Sequence, residues 1–585
     1  MKKIYLISLA ASLLPAAASA QNLNPTVSVS RAYEGKLMEV HKPMQKMFVP
    51  DSLMRFDLDF DYSVFDNPYK GSYEFKPYAL EMKPEASEYA GRKLYLKAGA
   101  GYNLRPSVDF VWEPALKKER LKLDVFASHH SYVGKYALIA PDGGMKFKAS
   151  GEKRSGYDMY TNAGVNGQAD MAKAVLSFGA DWLGIHTKDY YSGIAAGYNA
   201  AEAFFRIKSA EPEINALYYD VAFKYSYASQ GFGGNEIEGA SSMGINDIEF
   251  NTVLGPVINR RHRIVADFGM GGTWYGGFLG TNVGTAHITP KYMFTDGRWN
   301  ISAGPKISFN ISDRDGESAL NTNKGIFLYP DVYVGFEAVR DHMNLYFKAD
   351  GGDYRNPYKD MKEKFHFLLP YAGMSNNSVM QADFALGFDG NVRSRFRYDV
   401  SAGFRSYEAM PFDVAGGIDM NGVTALSTGW VYLDGTSVYS DIRLGWESRD
   451  FLLDSKFSIE SVKLNDSKNK EYYNFGPSLL SGYVSGVYNW KKRIFAGLSA
   501  EFATKRDGSL TIVHVADSDV PSTSVTADSA VIPAWVNLGV YAEYAFTKKL
   551  SFWLRGENLL NMEIQRTPFY SEGGIGFTAG ICLNL

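Results

Sequence analysis

Trp299-Asn300-Ile301-Ser302-Ala303-Gly304-Pro305-Lys306-Ile307-Ser308-Phe309-Asn310 places an apolar residue at every odd position and a polar residue or Gly at every even one. This period of two belongs to a β-strand, whose successive side chains point to opposite faces. The strand therefore has one apolar and one polar face. It is also long, because strands of soluble sandwiches average about six residues whereas a tilted strand crossing a bilayer needs about ten.

The same texture continues outward from this segment. Ala174, Leu176, Phe178, Ala180 and Trp182 oppose Ser177, Gly179 and Asp181, and Tyr219, Val221, Phe223, Tyr225 and Tyr227 oppose Asp220, Lys224 and Ser226. The pattern holds from about Arg92 to the last residue. Ten connections read as short: Ala115 to Glu119, Ala169 to Ala172, Ala210 to Glu213, Asn259 to His262, Thr295 to Arg298, Val339 to His342, Asp389 to Asn391, Ser448 to Asp450, Asn489 to Lys492 and Thr547 to Lys549. Between them lie longer polar or Gly-rich stretches such as Ser131 to Gly156, Asp353 to Asn377 and Arg506 to Ser529, read here as loops. Short turns alternating with long loops is the outer-membrane arrangement, turns periplasmic and loops extracellular. Ten turns join ten strand pairs, and Lys93 to Tyr102 and Gly573 to Leu585 add a strand at each end. The expected fold is all-β, a closed antiparallel transmembrane β-barrel of about 22 strands. Closure follows from the solvent, since lipid cannot satisfy the backbone groups of an open edge.

Composition agrees with this reading. Across 585 residues only 21% are charged and 15% are aromatic, with 57 glycines, which excludes a disordered, collagen-like or coiled-coil chain. A formal charge of −3 gives no electrostatic case for nucleic acid. The lone Cys582 excludes a disulfide framework and a Cys-ligated metal. No apolar run of about 18 residues follows the start of the chain, so no helix spans a membrane. Residues 1–20 read as a secretory signal: Lys2 and Lys3, an apolar run from Ile4 to Leu14, then Ala18-Ser19-Ala20. No Cys follows the cleavage site, which argues against a lipid anchor. Residues 21–92 carry six prolines and are expected to form a periplasmic or lumen-lying segment. Residues 93–585 are the barrel, placed in the outer membrane of a Gram-negative bacterium.

The end of the chain resembles the barrel of TonB-dependent outer-membrane receptors. The residues that carry the likeness are Leu550 to Asn561, with Asn558-Leu559-Leu560-Asn561 after the penultimate strand, and the closing alternation Ile575, Phe577, Ala579, Ile581, Leu583 and Leu585. The resemblance implies a 22-stranded barrel. The chain departs from that family in two places. It ends in Leu585 where such barrels end in an aromatic, and residues 21–92 are about half the length of a plug domain, with no TonB-contact box. Three functions follow. The first is a passive conduit or the membrane subunit of an envelope complex, with outer-membrane lipids and a periplasmic or surface lipoprotein as partners. The second is TonB-coupled nutrient uptake with a reduced or separately supplied plug. The most distant is a lipid-modifying enzyme.

Seventeen charged residues fall on the polar face and are expected to line the lumen: Lys97, Lys122, Asp124, Asp181, Asp220, Lys224, Asp267, Lys306, Lys348, Asp350, Arg397, Asp399, Arg443, Asp454, Lys456, Arg555 and Glu557. Charges there need water or partners, since burying one alone costs several kcal/mol. No ring of one sign stands out, so a salt-bridged wall without selectivity is the plainer reading. Tyr190, Tyr191, Trp274, Tyr275 and Phe278 are candidate loop contacts for a flat ligand, although interfacial girdles need aromatics too. No catalytic, cofactor or metal set is expected. Asp57, Asp59 and Asp61 imitate the start of a calcium loop but lack its Gly and terminal Glu. His129-His130-Ser131 offers a hydroxyl near a base, as a lipid-hydrolysing nucleophile requires, without an acidic orienter. Part of Arg55 to Pro84 is expected to restrict the periplasmic mouth.

Overall fold

A computed structural model describes the chain from Leu94 to Leu585, apart from residues 103, 115, 117–119, 211–215, 234–241, 260, 278–281, 313–324, 371–376, 394, 421–422, 466–474 and 517–521. The expectations placed on residues 1–93, including the signal, the Asp57 triplet and the mouth segment, lie outside the described residues.

Among the described residues, twenty-four strands and one helix follow in order. The first are β1 (Leu94–Gly101), β2 (Ser107–Trp112), β3 (Leu121–Pro141), β4 (Phe147–Asp170), β5 (Ala174–Lys188), β6 (Ala195–Ser209), β7 (Leu217–Gly233) and β8 (Met243–Pro256). Next come β9 (His262–Tyr275), β10 (Asn282–Asp296), β11 (Trp299–Ser312), β12 (Gly325–Val339), β13 (Met343–Arg355), helix α1 (Tyr358–Lys364), β14 (Asn377–Val392), β15 (Phe396–Met420) and β16 (Val423–Glu447). The last are β17 (Phe451–Leu464), β18 (Leu480–Trp490), β19 (Ile494–Ala503), β20 (Arg506–Ala516), β21 (Ser522–Ile532), β22 (Trp535–Ala545), β23 (Leu550–Glu557) and β24 (Gly576–Asn584).

Twenty-two of these strands form a closed antiparallel barrel. Each strand from β1 to β18 pairs with the next, β19 pairs with β22, β22 with β23 and β23 with β24, and β24 returns to β1 from Tyr95 opposite Asn584 to Gly101 opposite Thr578. No edge is left in the barrel. The side-chain alternation sorts onto two faces. Phe205, Met270, Ile288, Leu386, Leu498 and Leu554 are apolar yet exposed, as a lipid-facing band requires. In register with them, Phe178 lies opposite Phe205 and Ile301 opposite Phe294. A closed barrel with this apolar exterior is an outer-membrane protein.

Where their residues are described, the short turns fall where the sequence places them, except that the turn expected at Asp389 to Asn391 lies three residues later. There β14 runs on to Val392, and Arg395 N–H closes the turn on the Val392 carbonyl at 3.1 Å. The long connections differ more. Ser131 to Gly156 is not a loop, because β3 and β4 continue far past bilayer length and join at a tight turn in which Asp142 accepts from the Gly144 and Lys146 N–H groups, each at 2.9 Å. Arg506 to Ser529 is likewise a hairpin outside the barrel, β20 with β21. Its β20 strand runs parallel to the far end of β15, Ala415 to Met420 against Leu510 to Val515. Hydrogen-bonded ladders satisfy the backbone of these polar segments, which their composition alone does not reveal.

Candidate functional site

The third long connection, between β13 and β14, turns into the barrel. Arg355 ends β13 facing inward and fixes the root of this segment: its guanidinium donates to Asp247 at 2.6 Å, Glu249 at 2.7 Å and the Thr273 hydroxyl at 2.9 Å. Gly271 makes room, since a Cβ there would stand 2.6 Å from the Arg355 guanidinium carbon. Pro357 then precedes α1 with φ −66°, Asp360 sits in its first turn and Lys362 and Lys364 in its last, an order that suits the helix dipole.

The residues after Arg355 form a lid across the interior. Its apolar side packs into one cluster with Leu183, Ile185, Tyr198, Ile245 and Tyr275 of the inward-facing wall and with Tyr432 of β16. The lid thus reaches from β6 and β9 to β16. The Tyr358 N–H donates to the Tyr275 hydroxyl at 3.0 Å, and the Tyr358 hydroxyl lies 3.1 Å from both the Gln230 side-chain oxygen and the Leu368 carbonyl. Lys359 pairs with Glu202 at 2.7 Å, and His366 sits 2.8 Å from Asp158 with its ring stacked on Tyr160. Burial holds the Tyr358 hydroxyl far above its usual pKa.

The connection from β23 to β24 covers the lid. Tyr570 packs against both Phe365 and Phe367, and Tyr190 accepts from the Ser571 N–H at 2.9 Å. A second apolar cluster, with Ile139, Phe147, Phe475, Leu510, Ile532 and Phe569, shares Tyr191 and Tyr570 with the lid layer. Arg566 ties this cover to the wall through Glu501 at 2.8 Å and stacks 4.9 Å from the centre of the Trp535 ring. The α1 segment and the β23–β24 connection thus pack together against the inward wall.

The candidate loop contacts fall in different surroundings. Tyr190 is 2% exposed and Tyr275 3%; both belong to the lid core, and the Tyr191 hydroxyl donates to the backbone of Ile139 at 2.6 Å. Tyr190 and Tyr275 are withdrawn from solvent and Tyr191 is half-buried, because the inward apolar face takes aromatic partners. Trp274 points the opposite way, 44% exposed among the lipid-facing residues. Phe278 lies outside the described residues.

Most of the seventeen charged residues expected to line the lumen have partners on neighbouring strands. Asp220 meets Arg206 at 2.5 Å, Lys224 meets Glu202 at 3.5 Å and Glu249 at 3.4 Å, and Asp267 meets Lys291 at 2.9 Å. Asp350 accepts from Lys306 at 2.7 Å with Lys348 at 3.5 Å, and Arg397 lies 3.5 Å from Glu447. Asp399 takes the Tyr346 hydroxyl at 2.9 Å and stands opposite Arg443, which in turn stands opposite Lys456. Asp454 takes the Tyr483 hydroxyl at 2.7 Å, and Glu557 joins Arg105 at 2.8 Å to Arg555 at 2.9 Å. Lys97 lies 4.8 Å from the centres of the Tyr541 and Trp553 rings. Lys122 and Asp124 are exposed, and Asp181 is half-buried.

A cavity of about 240 Å³ beside the lid is lined by Arg105, His130, Asp158, His366, Trp553 and Glu557, among others. His129 and Ser131 lie near the middle of β3, their side chains 3.2 Å apart, with the Thr161 hydroxyl on the other ring nitrogen at 2.8 Å. The carboxylate is on the neighbouring His130, whose Nε2 is 2.9 Å from Asp109 while Nδ1 is 3.2 Å from the Ser107 hydroxyl. Among the described residues no group of three potential ligands could hold a metal ion.

No protein-family model matches the chain, and no curated protein does. Solved structures do. The apoprotein form of the FrpB iron transporter from Neisseria meningitidis superposes with a TM-score of 0.59 at 10% identity, over 84% of this chain and 80% of that one. The siderophore receptor PirA from Acinetobacter baumannii gives 0.55 at 9% identity, and the copper transporter OprC 0.55 at 10%, each over 84% of this chain and 80% of the other. The likeness is one of fold. The shared feature is the large outer-membrane β-barrel itself.

Proposed function

We propose that this barrel is the gated membrane subunit of an envelope complex, kept shut on the loop side by its own lid until a partner or cargo displaces it. The observation that carries this reading is the apolar core between α1 and the inward wall, which fills the mouth that an open conduit needs clear. A 22-stranded barrel leaves a lumen that wall side chains alone cannot fill, so the filling segment is a specific addition. The salt-bridged wall below the lid gives water and a polar polypeptide a surface to meet. It favours no ion of one sign. A filled mouth speaks for the complex subunit over the passive conduit. TonB-coupled uptake with a separately supplied plug is the second reading, favoured by the likeness to the iron transporter and the siderophore receptor.

Liposome swelling tests the proposal. Vesicles containing the purified protein should not swell in small sugars, whereas vesicles containing an open porin do. Swelling at porin rates would refute a closed resting state. Gentle detergent extraction, with the barrel as bait, then separates the two readings by whether a lipoprotein or TonB copurifies.

A further inference from the structure

The lid core contains one residue that works against it. Lys362, in the last turn of α1, is 0% exposed. The Leu368 carbonyl, at 2.9 Å, is its only hydrogen-bond acceptor among the described residues, although an ammonium has three donors. The carboxylates that face it are Asp158 on β4 and Asp189 in the β5–β6 connection. Both are otherwise engaged. Asp158 holds His366, and Asp189 accepts from the Ser192 hydroxyl at 2.6 Å and the Tyr191 N–H at 3.0 Å. The other titratable groups packed in or against the same cluster are Tyr136, Tyr190, Tyr198, Tyr275, Tyr358 and Tyr432, with Tyr132, Tyr160, Tyr191 and Tyr570 at its margin and His366 on Asp158. An apolar side chain of similar length would fill the space without leaving donors unpaired.

We infer that Lys362 is the release device of the lid: its enclosed amine weakens the closed state, and this penalty disappears when the lid leaves the barrel. The inference rests on the gated-barrel reading and supplies its regulation. Burial pushes the Lys362 amine down to about 7, whereas in an open lid it returns to the usual lysine value of about 10.4. The closed lid therefore binds this proton more weakly than the open one. Closure strengthens as pH rises from about 7 towards 10.4, by up to about tenfold in the open-to-closed ratio per pH unit, and changes no further from this group below 7. Burial holds the hydroxyls of Tyr190, Tyr358 and Tyr570 well above their usual value, so these groups do not titrate in that window.

Openings of single channels in planar bilayers, recorded from pH 6.5 to 10, test the device. Wild-type openings should become rarer as pH rises above 7. Lys362→Met should open at least tenfold less often than wild type at pH 7 and lose the pH dependence, the opposite of what deleting a structural hydrogen bond would do. Lys362→Gln serves as a second neutral variant. Openings of Lys362→Met as frequent as wild type, or a flat wild-type profile, would overturn the inference. The wild-type profile decides alone if neither variant assembles. A wild-type barrel that conducts continuously at every pH would instead overturn the lid reading itself.

Discussion

At the scale of single residues, the face a side chain occupies decides its tolerance. Phe178 and Ile301 lie on the lipid side, and their neighbours Ser177 and Ser302 face inward. Arg at Phe178 or Ile301 should cost about 2 to 4 kcal/mol near the bilayer midplane, whereas Arg at Ser177 or Ser302 should be mild. Urea titration of the barrel refolded into lipid vesicles measures this, and equal losses on both faces would contradict the register. Gly271 is a sharper case. Gly271→Ala drives a Cβ into the Arg355 guanidinium, so it should loosen the root of the lid without unfolding the wall, seen as faster protease cleavage between Arg355 and Asn377. Alternation made the two faces legible in sequence. What it could not show is which inward residue meets which, because Arg206 with Asp220 and Lys291 with Asp267 are pairs set by strand register.

At the scale of elements, the lid was hidden by an assumption about loops. Asp353 to Asn377 reads as a connection by its length and Gly, Asn and Pro content, yet Lys364-Phe365-His366-Phe367-Leu368-Leu369-Pro370 within it is too apolar for a solvated loop. A second signal sat in β5, where Leu183 and Ile185 place apolar side chains on the face that carries Asp181 lower down. Apolar groups on an inward face need something apolar inside the barrel. Both signals are local. Neither says that the segment folds inward, since that follows from a match between residues far apart in the chain. Leu368→Ala and Phe367→Ala should each weaken lid docking by about 2 to 5 kcal/mol, the usual cost of truncating a buried apolar side chain. Cysteine labelling at position 361 by a soluble thiol reagent, in a Met361→Cys, Cys582→Ser background, reports the lid alone. Unchanged labelling would mean that the cluster does not hold the lid.

At the scale of the whole molecule, ten short turns and one further strand at each end were enough to give the barrel and its strand number, because lipid allows few alternatives. The barrel is independent of the lid in this account: every wall strand has two hydrogen-bonded neighbours without it. Detergent-extracted protein should therefore show heat-modifiable gel migration whether or not the lid is present. The measurement that bears most directly on the account is the conductance of a variant in which residues 357–370 are replaced by a Gly–Ser linker of equal length, compared with wild type in planar bilayers. The variant should be heat-modifiable and conduct in large, long-lived steps, while wild type at pH 8 stays closed for most of the record. Equal conductance in the two, with both barrels correctly assembled, would contradict a lumen shut by its own chain.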